Sequence, residues 1–381
     1  MELKLSIEQE ILKRTVSKFA AEQLRPIASE VDEEHQFPYE SLETMKKMGL
    51  MGLPFDCAIG GSGADYLSFA VVVEELAKEC ATTASIYATH IVRCCYPIVK
   101  YGTDKQKESL LRKLFSGEYL GAFGMTEPNA GTDFKSQLTT ATLDGDSWVL
   151  NGAKFFVTNA GFADVYIIIA ITDKEKLIKG GISAFIVKNT DEGFSIGTSE
   201  NKIGRCGCPT AEIVLQNCRI PKNRLLGNLG DGANIAKDIA EFGRIAVAAQ
   251  AVGIAQKAFD MTVSYMKERK QFGKKISQFQ ALQFEIAEII TNIEAARLLM
   301  YKAAYLKDVG RHYSREASMA KLFGAKTAVS TTNAAVRLHG GYGYMKDYHV
   351  ERLMRDAKLT EIDEGSLELQ KMIISTSVIG K

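Results

Sequence analysis

Ile362-Asp363-Glu364-Gly365-Ser366 sets a carboxylate beside a glycine, shortly after the run Gly340-Gly341-Tyr342-Gly343-Tyr344. A second run lies far upstream: Phe123-Gly124-Met125-Thr126-Glu127-Pro128-Asn129-Ala130-Gly131-Thr132-Asp133. What surrounds and separates these two segments decides the architecture.

Before the upstream run the chain reads as helical. Ile7, Ile11, Leu12, Val16 and Phe19 recur at helical spacing. Ser6 precedes Gln9 by three, the spacing of a capping box. Residues 69–77 are rich in apolar side chains, and residues 104–114 form a further helix candidate with Thr103 as N-cap. Between the two runs the pattern changes. Strand-like stretches fall at residues 138–142, 148–150, 154–158, 165–172, 182–188 and 211–215. Asp144-Gly145 signals a hairpin, and Asn151-Gly152 predicts a second tight turn. From Ala233 onward helices return, at residues 239–266, 281–306 and 315–338, with short connections that suggest an antiparallel bundle. The expected fold is therefore α+β in three parts. These are a helical domain over residues 1–121, a compact antiparallel, barrel-like β-domain over 122–230, and a helical bundle over 231–381.

With 381 residues, 46% of them hydrophobic, the chain can bury two or three cores. A net charge of +1 gives no general attraction to nucleic acid or an anionic membrane. Met1 to Ser6 lacks the basic-then-apolar run of a signal peptide, and no apolar stretch is long enough to span a bilayer, so a cytoplasmic protein is expected. Seven scattered cysteines with no CxxC pair predict reduced thiols, neither a disulfide framework nor a zinc site.

A dinucleotide-binding GxGxxG after a strand is absent. Gly227, Gly230 and Gly232 follow Pro221 and read as a turn into the next helix. The two opening runs, in the order helices, β-domain, helix bundle, instead resemble the acyl-CoA dehydrogenase family along nearly the whole chain. Members of that family remove two hydrogens from an acyl thioester onto FAD. Their C-terminal pattern is Tyr-Glu-Gly-Thr; here Asp363 stands in place of the Tyr. The resemblance implies a distributed FAD site. Phe123, Met125, Thr126 and Thr132 match the loop along the flavin, and Phe156-Val157-Thr158 matches the Trp-Ile-Thr against its ring. Arg269, Phe272 and Gln280 match residues that reach the FAD of a neighbouring subunit, where an arginine fork suits phosphate. Arg337 to Gly341, with Gly340, and Ser366 to Glu368 match further dinucleotide contacts. Taken singly, Arg269 reads as a solvated charge, Phe156 as a core aromatic and Gly340-Gly341 as a helix cap.

An α-proton next to a thioester is weakly acidic, so its removal needs a positioned base and a stabilised enolate oxygen. Glu364 matches the family's base, and its backbone N–H the donor to the thioester carbonyl. The bland alternative is an exposed acid at a helix start. Some family branches carry the base on the long helix, at a slot filled here by Gly243. Glu241 and Arg244 match substrate contacts, the competing reading being an i,i+3 ion pair. Gly365 and Thr132 match substrate-facing positions. Asp363, His90 and Arg93 bring polar groups to places that are apolar in simple fatty acyl pockets. They predict a short acyl group with a polar end, met by Arg93 or His90, unless Arg93 faces solvent or pairs with Asp363. The resemblance also implies acyl-CoA as substrate, electron-transferring flavoprotein as acceptor and a homotetramer. Alternatives are an acyl carrier protein as thioester carrier, an oxidase, an enoyl-CoA reductase and a non-catalytic scaffold.

Overall fold

The computed structural model describes residues 4–380. The chain opens with the helix Ile7–Phe19, whose Ser6–Gln9 capping box is formed in both directions. Asp104–Ser116 starts in the same way from Thr103 and Gln106. Both boxes satisfy amide groups that the first helical turn leaves unpaired. Between them run the buried helices Tyr66–Glu79 and Ala81–Ala88, the latter continuing through a π-helical stretch, Thr89–Cys95.

Eight strands form one sheet: β1 Gly121–Gly124, β2 Thr140–Asp144, β3 Ser147–Thr158, β4 Val165–Ile171, β5 Ile182–Lys188, β6 Phe194–Ser199, β7 Thr210–Pro221 and β8 Leu225–Leu226. The order is β6-β7-β3-β2-β4-β5-β8, with β1 beside β4. The sheet is mostly antiparallel, but β1 runs parallel to β4, and β2 meets β4 in parallel at Thr140 and Ile171, a departure from the expected all-antiparallel pairing. The whole β2–β3 hairpin separates β1 from β4, and a connection of that length permits a parallel return.

Asn151-Gly152 is also not a turn. It lies inside β3, at a register shift against β7 between Leu150 and Gly152. Gly152 takes φ 146°, and a Cβ there would come within 2.5 Å of the Thr139 hydroxyl. The glycine lets two strands approach at a bulge, the alternative meaning of a glycine inside a strand.

The C-terminal part is built from Gly232–Glu268, Gln280–Asp308 and Ser314–Leu338, followed by Val350–Lys358 and Leu367–Ile379. The first of these long helices is buried along most of residues 241–255, a run rich in alanine. Such small side chains let it pack against Tyr66–Glu79 and Ser314–Leu338 at once, so one core joins the N- and C-terminal helices. All seven cysteines are unpaired; Cys57 is exposed and Cys206 half-buried, the others buried. Among the described residues no helix is long and apolar enough to cross a membrane.

Candidate active site

Glu364 sits in the turn between the short 3-10 segment Leu359–Glu361 and the helix Leu367–Ile379, which Ser366 caps. Its φ is 54°, and that of Gly365 is 92°. A left-handed glutamate costs about 1–3 kcal/mol, so the surroundings must hold it there. The buried Lys321 ammonium donates to the Glu361 and Gly365 carbonyls at 3.0 and 2.6 Å. The Gln370 amide donates to the Glu364 and Gly365 carbonyls, each at 3.0 Å.

The carboxylate points inward, with its side chain only 9% exposed, which removes the reading of an exposed helix-start acid. Arg93 meets it: Nε donates to Oε1 at 2.9 Å, while Nη2 lies 2.8 Å from the same oxygen and donates to Asp363 Oδ1 at 2.5 Å. Arg93 therefore pairs with Asp363 and Glu364 and does not face solvent. Burial pushes Glu364 up from the ordinary carboxylate range, with Arg93 opposing and Asp363 assisting. Burial acts in the same sense on Asp363, but Arg93 and Arg205 outweigh it and hold that group low. The Glu364 backbone N–H donates to Asp363 Oδ1 at 3.0 Å.

Glu364 and Arg93 line a cavity between the Ala81–Cys95 stretch, the long helix Gly232–Glu268 and the ends of β3 and β7. Thr158, Gly243 and Asp363 line it as well. Glu241 and Arg244, one turn from this wall, are both buried, and the Glu241 Oε1 and Arg244 Nε atoms have no hydrogen-bond partner. The i,i+3 ion pair is not formed; Lys237 Nζ, at 3.8 Å, is the cation near Glu241. Buried polar atoms without partners cost about 1–3 kcal/mol each and point to a ligand that completes them.

His90 does not belong to the site. It is fully buried, its Nδ1 accepting from the Gly121 N–H at 3.1 Å and its Nε2 facing the Met51 and Leu114 carbonyls. Burial lowers its pKa to about 4, and these partners fix the neutral ring as a tie between helices and β1. Its nearness to Arg93 in sequence misleads because the two side chains leave the π-helical stretch in different directions.

The upstream run begins in β1 with Phe123. Its Thr126 carbonyl accepts from the Phe155 N–H at 2.8 Å, and its Met125 carbonyl from Lys154 Nζ at 3.1 Å. Lys154 also pairs with Glu127 at 2.6 Å, both side chains almost wholly buried. Glu127 in turn accepts from the Leu138 and Thr139 amides. This loop is thus fixed against β3, where Phe156 is 62% exposed with φ 56° and Val157 is buried. An exposed aromatic two residues from the cavity-lining Thr158 suits the face of a flavin ring. Thr132 stays on the exposed part of the loop.

The remaining sequence-identified positions lie outside the cavity lining. Arg269 stands over the Tyr342 ring at 5.4 Å, and Phe272, in the turn between the paired residues Gln271 and Lys274, is 93% exposed. Gln280 starts its helix, Arg337 pairs with Glu285, and the space above Gly340 and Gly341 is open. Ser366 serves as a cap, and Glu368 is exposed near Lys371. Open glycines beside an exposed arginine and aromatics fit the pyrophosphate and adenosine of FAD. Sequence reasoning missed Lys321, Gln370, Arg205, Ser85 and Gln250, because a lysine or arginine in sequence reads first as a solvated charge.

Residues 6–118, 122–218 and 230–379 match the family models of the acyl-CoA dehydrogenase N-terminal, middle and C-terminal domains. A short-chain specific acyl-CoA dehydrogenase of Clostridium acetobutylicum is 48% identical over 99% of this chain and 100% of its own. Butyryl-CoA dehydrogenase of Megasphaera elsdenii superposes with a TM-score of 0.97 at 41% identity, covering all of both chains. A chain solved in work on the electron transferring flavoprotein of Acidaminococcus fermentans gives 0.98 at 43% identity, again covering all of both.

Proposed function

The chain belongs to the acyl-CoA dehydrogenase family of FAD-dependent oxidoreductases, and from that premise we propose that it dehydrogenates a short acyl thioester at the α,β bond, with Glu364 as the base. The observation that carries this reading is the placement of Glu364: buried, in a cavity wall, and raised above the usual carboxylate range. Binding of an acyl chain removes the remaining water, and a desolvated carboxylate takes a carbon-bound proton more readily. Bound FAD supplies the acceptor for the β-hydride.

The protein's own residues do the rest. Lys321 and Gln370 hold the turn so that the Glu364 carboxylate faces the cavity. Arg93 keeps Asp363 ionised and fixes the rotamer of Glu364 through one of its two oxygens, leaving the other for the proton. Arg244 and Glu241 offer unpartnered polar atoms one turn away for the thioester end of the substrate. Phe123, Met125, Thr126, Phe156, Val157 and Thr158 would hold the flavin ring. Arg269, Phe272, Gln280, Arg337, Gly340, Gly341, Ser366 and Glu368 would hold the dinucleotide arm, part of it across a subunit boundary in a homotetramer. Electrons would pass to electron-transferring flavoprotein, supported by the likeness to the chain from the Acidaminococcus work.

The test is an anaerobic titration of the FAD-loaded protein with butyryl-CoA and with a butyryl carrier protein, following the flavin band. Bleaching by the CoA ester supports the reading. Bleaching by the carrier-bound group alone moves the protein to carrier-bound substrates, and bleaching by neither contradicts the dehydrogenase.

A further inference from the structure

Arg93 does not spend its whole fork on the two carboxylates. Nε and Nη2 are taken by Glu364 and Asp363. Nη1 has no hydrogen-bond partner among the described residues, yet it is not a fully buried atom. Asp363 is in the same state. Its Oδ1 accepts from Arg93 Nη2 and from the Glu364 N–H, while Oδ2 is unpartnered among the described residues and not fully buried. The Arg93 and Asp363 side chains keep 16% and 27% of their surface accessible. Both lie deep within the chain and both line the cavity, so this surface opens on the cavity. A free donor and a free acceptor thus stand on neighbouring side chains of one wall, next to the Glu364 carboxylate.

Position and charge decide what this pair can hold. Glu364, as the base, brings the α-carbon of an acyl thioester to about 3–3.5 Å from its carboxylate. Arg93 lies 2.9 Å from that carboxylate, so its free amino group reaches the carbon just beyond the reacting bond. A methyl group there would leave donor and acceptor unpaired once water is expelled. A carboxylate would find no cation to spare. Arg93 is already shared by Asp363 and Glu364, and Lys321 is drawn to the same two groups. Arg205 faces Asp356, and Arg244 feels Glu364 and Glu241. A further negative charge in this enclosed site would be repelled by the carboxylates already there. A hydroxyl is neutral and can both accept and donate.

We propose that Arg93 and Asp363 together set specificity by binding a neutral hydroxyl on the γ-carbon of the acyl group, with Nη1 donating to it and Oδ2 accepting from it. The preferred substrate is then a short γ-hydroxyacyl thioester, ahead of methyl-ended and carboxylate-ended ones. This rests on the reading of Glu364 as the base, which places the γ-carbon near Arg93. The sequence set substrate contact by Arg93 against its pairing with Asp363. In the structure the pairing itself leaves one atom of each residue free toward the cavity.

The experiment uses the FAD-loaded protein, reduced beforehand so that esters bind without turnover and Glu364 keeps its charge. Affinities are measured calorimetrically, without oxygen, for 4-hydroxybutyryl-CoA, for pentanoyl-CoA as its methyl-ended match in length, and for succinyl-CoA. 4-Hydroxybutyryl-CoA is expected to bind about tenfold tighter than pentanoyl-CoA, and succinyl-CoA no tighter than pentanoyl-CoA. R93M and D363L should each bring the hydroxyl-ended and methyl-ended esters to nearly equal affinity. If R93M does not fold, D363L carries the same test. A pair that only orients Glu364 would leave the ratio of the two affinities unchanged in both variants, which overturns the inference. Equal affinity in the unsubstituted protein, or tightest binding of succinyl-CoA, overturns it as well. Bleaching of the oxidised flavin separates the two claims: bleaching by esters that bind without preference removes the hydroxyl site alone, whereas a preference with bleaching by no ester removes the role of Glu364.

Discussion

A Cβ placed on Gly243 would stand 2.4 Å from both Cδ and Oε1 of Glu364. The long helix thus gives up a side chain where the C-terminal turn brings in its carboxylate, and the two segments share one small volume. G243A should push that carboxylate off its position. A displacement of about 1 Å at a reacting group can cost roughly a hundredfold. We expect kcat with butyryl-CoA to fall by at least about tenfold while the melting temperature changes little. Steady-state kinetics and thermal unfolding check this pair of outcomes.

With Glu364 as the proposed base, Arg93 should set the acid limb of the pH profile. The base acts when ionised, so kcat/KM should rise as pH passes upward through the Glu364 pKa. Burial holds that pKa up and Arg93 opposes the rise. Removing the cation, as in R93L, leaves burial and the Asp363 charge unopposed, so the limb should move to higher pH by about one unit or more. A limb that stays in place or moves down would show that Glu364 is not the titrating group.

The turn depends on Lys321. Its ammonium is buried and donates to the Glu361 and Gly365 carbonyls. Burial lowers its pKa to about 8, against the pull of Asp363 and Glu364. K321M should destabilise the protein by about 2–4 kcal/mol, since two buried acceptors lose a charged donor. Denaturant unfolding measures the loss. The same variant should lower kcat more than the affinity for ester, because the carboxylate of Glu364 loses its fixed direction.

Lys154 and Glu127 anchor the upstream loop from inside the sheet. Breaking a buried pair by removing one partner costs about 3–5 kcal/mol. K154M should unfold at markedly lower denaturant, and K154M combined with E127L should recover part of that loss. A double variant no better than the single one would mean that the Glu127 bonds to the Leu138 and Thr139 amides carry the anchor.

These sites divide into those legible in the chain and those not. The capping pairs Ser6–Gln9 and Thr103–Gln106 could be read because their chemistry is local, three residues apart. The three-part order could be read from a change of period, and Glu364 from a motif next to its own glycine. Asn151-Gly152 misled because the same pair serves a hairpin or a bulge, and the choice rests with Thr139, just before β2. His90 misled because its partners, Met51, Leu114 and Gly121, come from three different segments. Arg205 and Lys321 left no signal at all. Their places are set by burial against Gln250, Ser85 and the Gly365 turn, contacts between residues 44 to 120 positions apart.

The most direct test of the central claim separates proton removal from hydride transfer. The FAD-loaded protein, reduced beforehand so that hydride transfer cannot run, is incubated with butyryl-CoA in deuterated buffer. Exchange at the α-carbon is then followed by proton NMR. Wild-type protein should exchange the α-hydrogens, and E364Q should do so about a thousandfold more slowly or not at all, as expected for loss of a general base. Exchange by E364Q at the wild-type rate would contradict the assignment of Glu364.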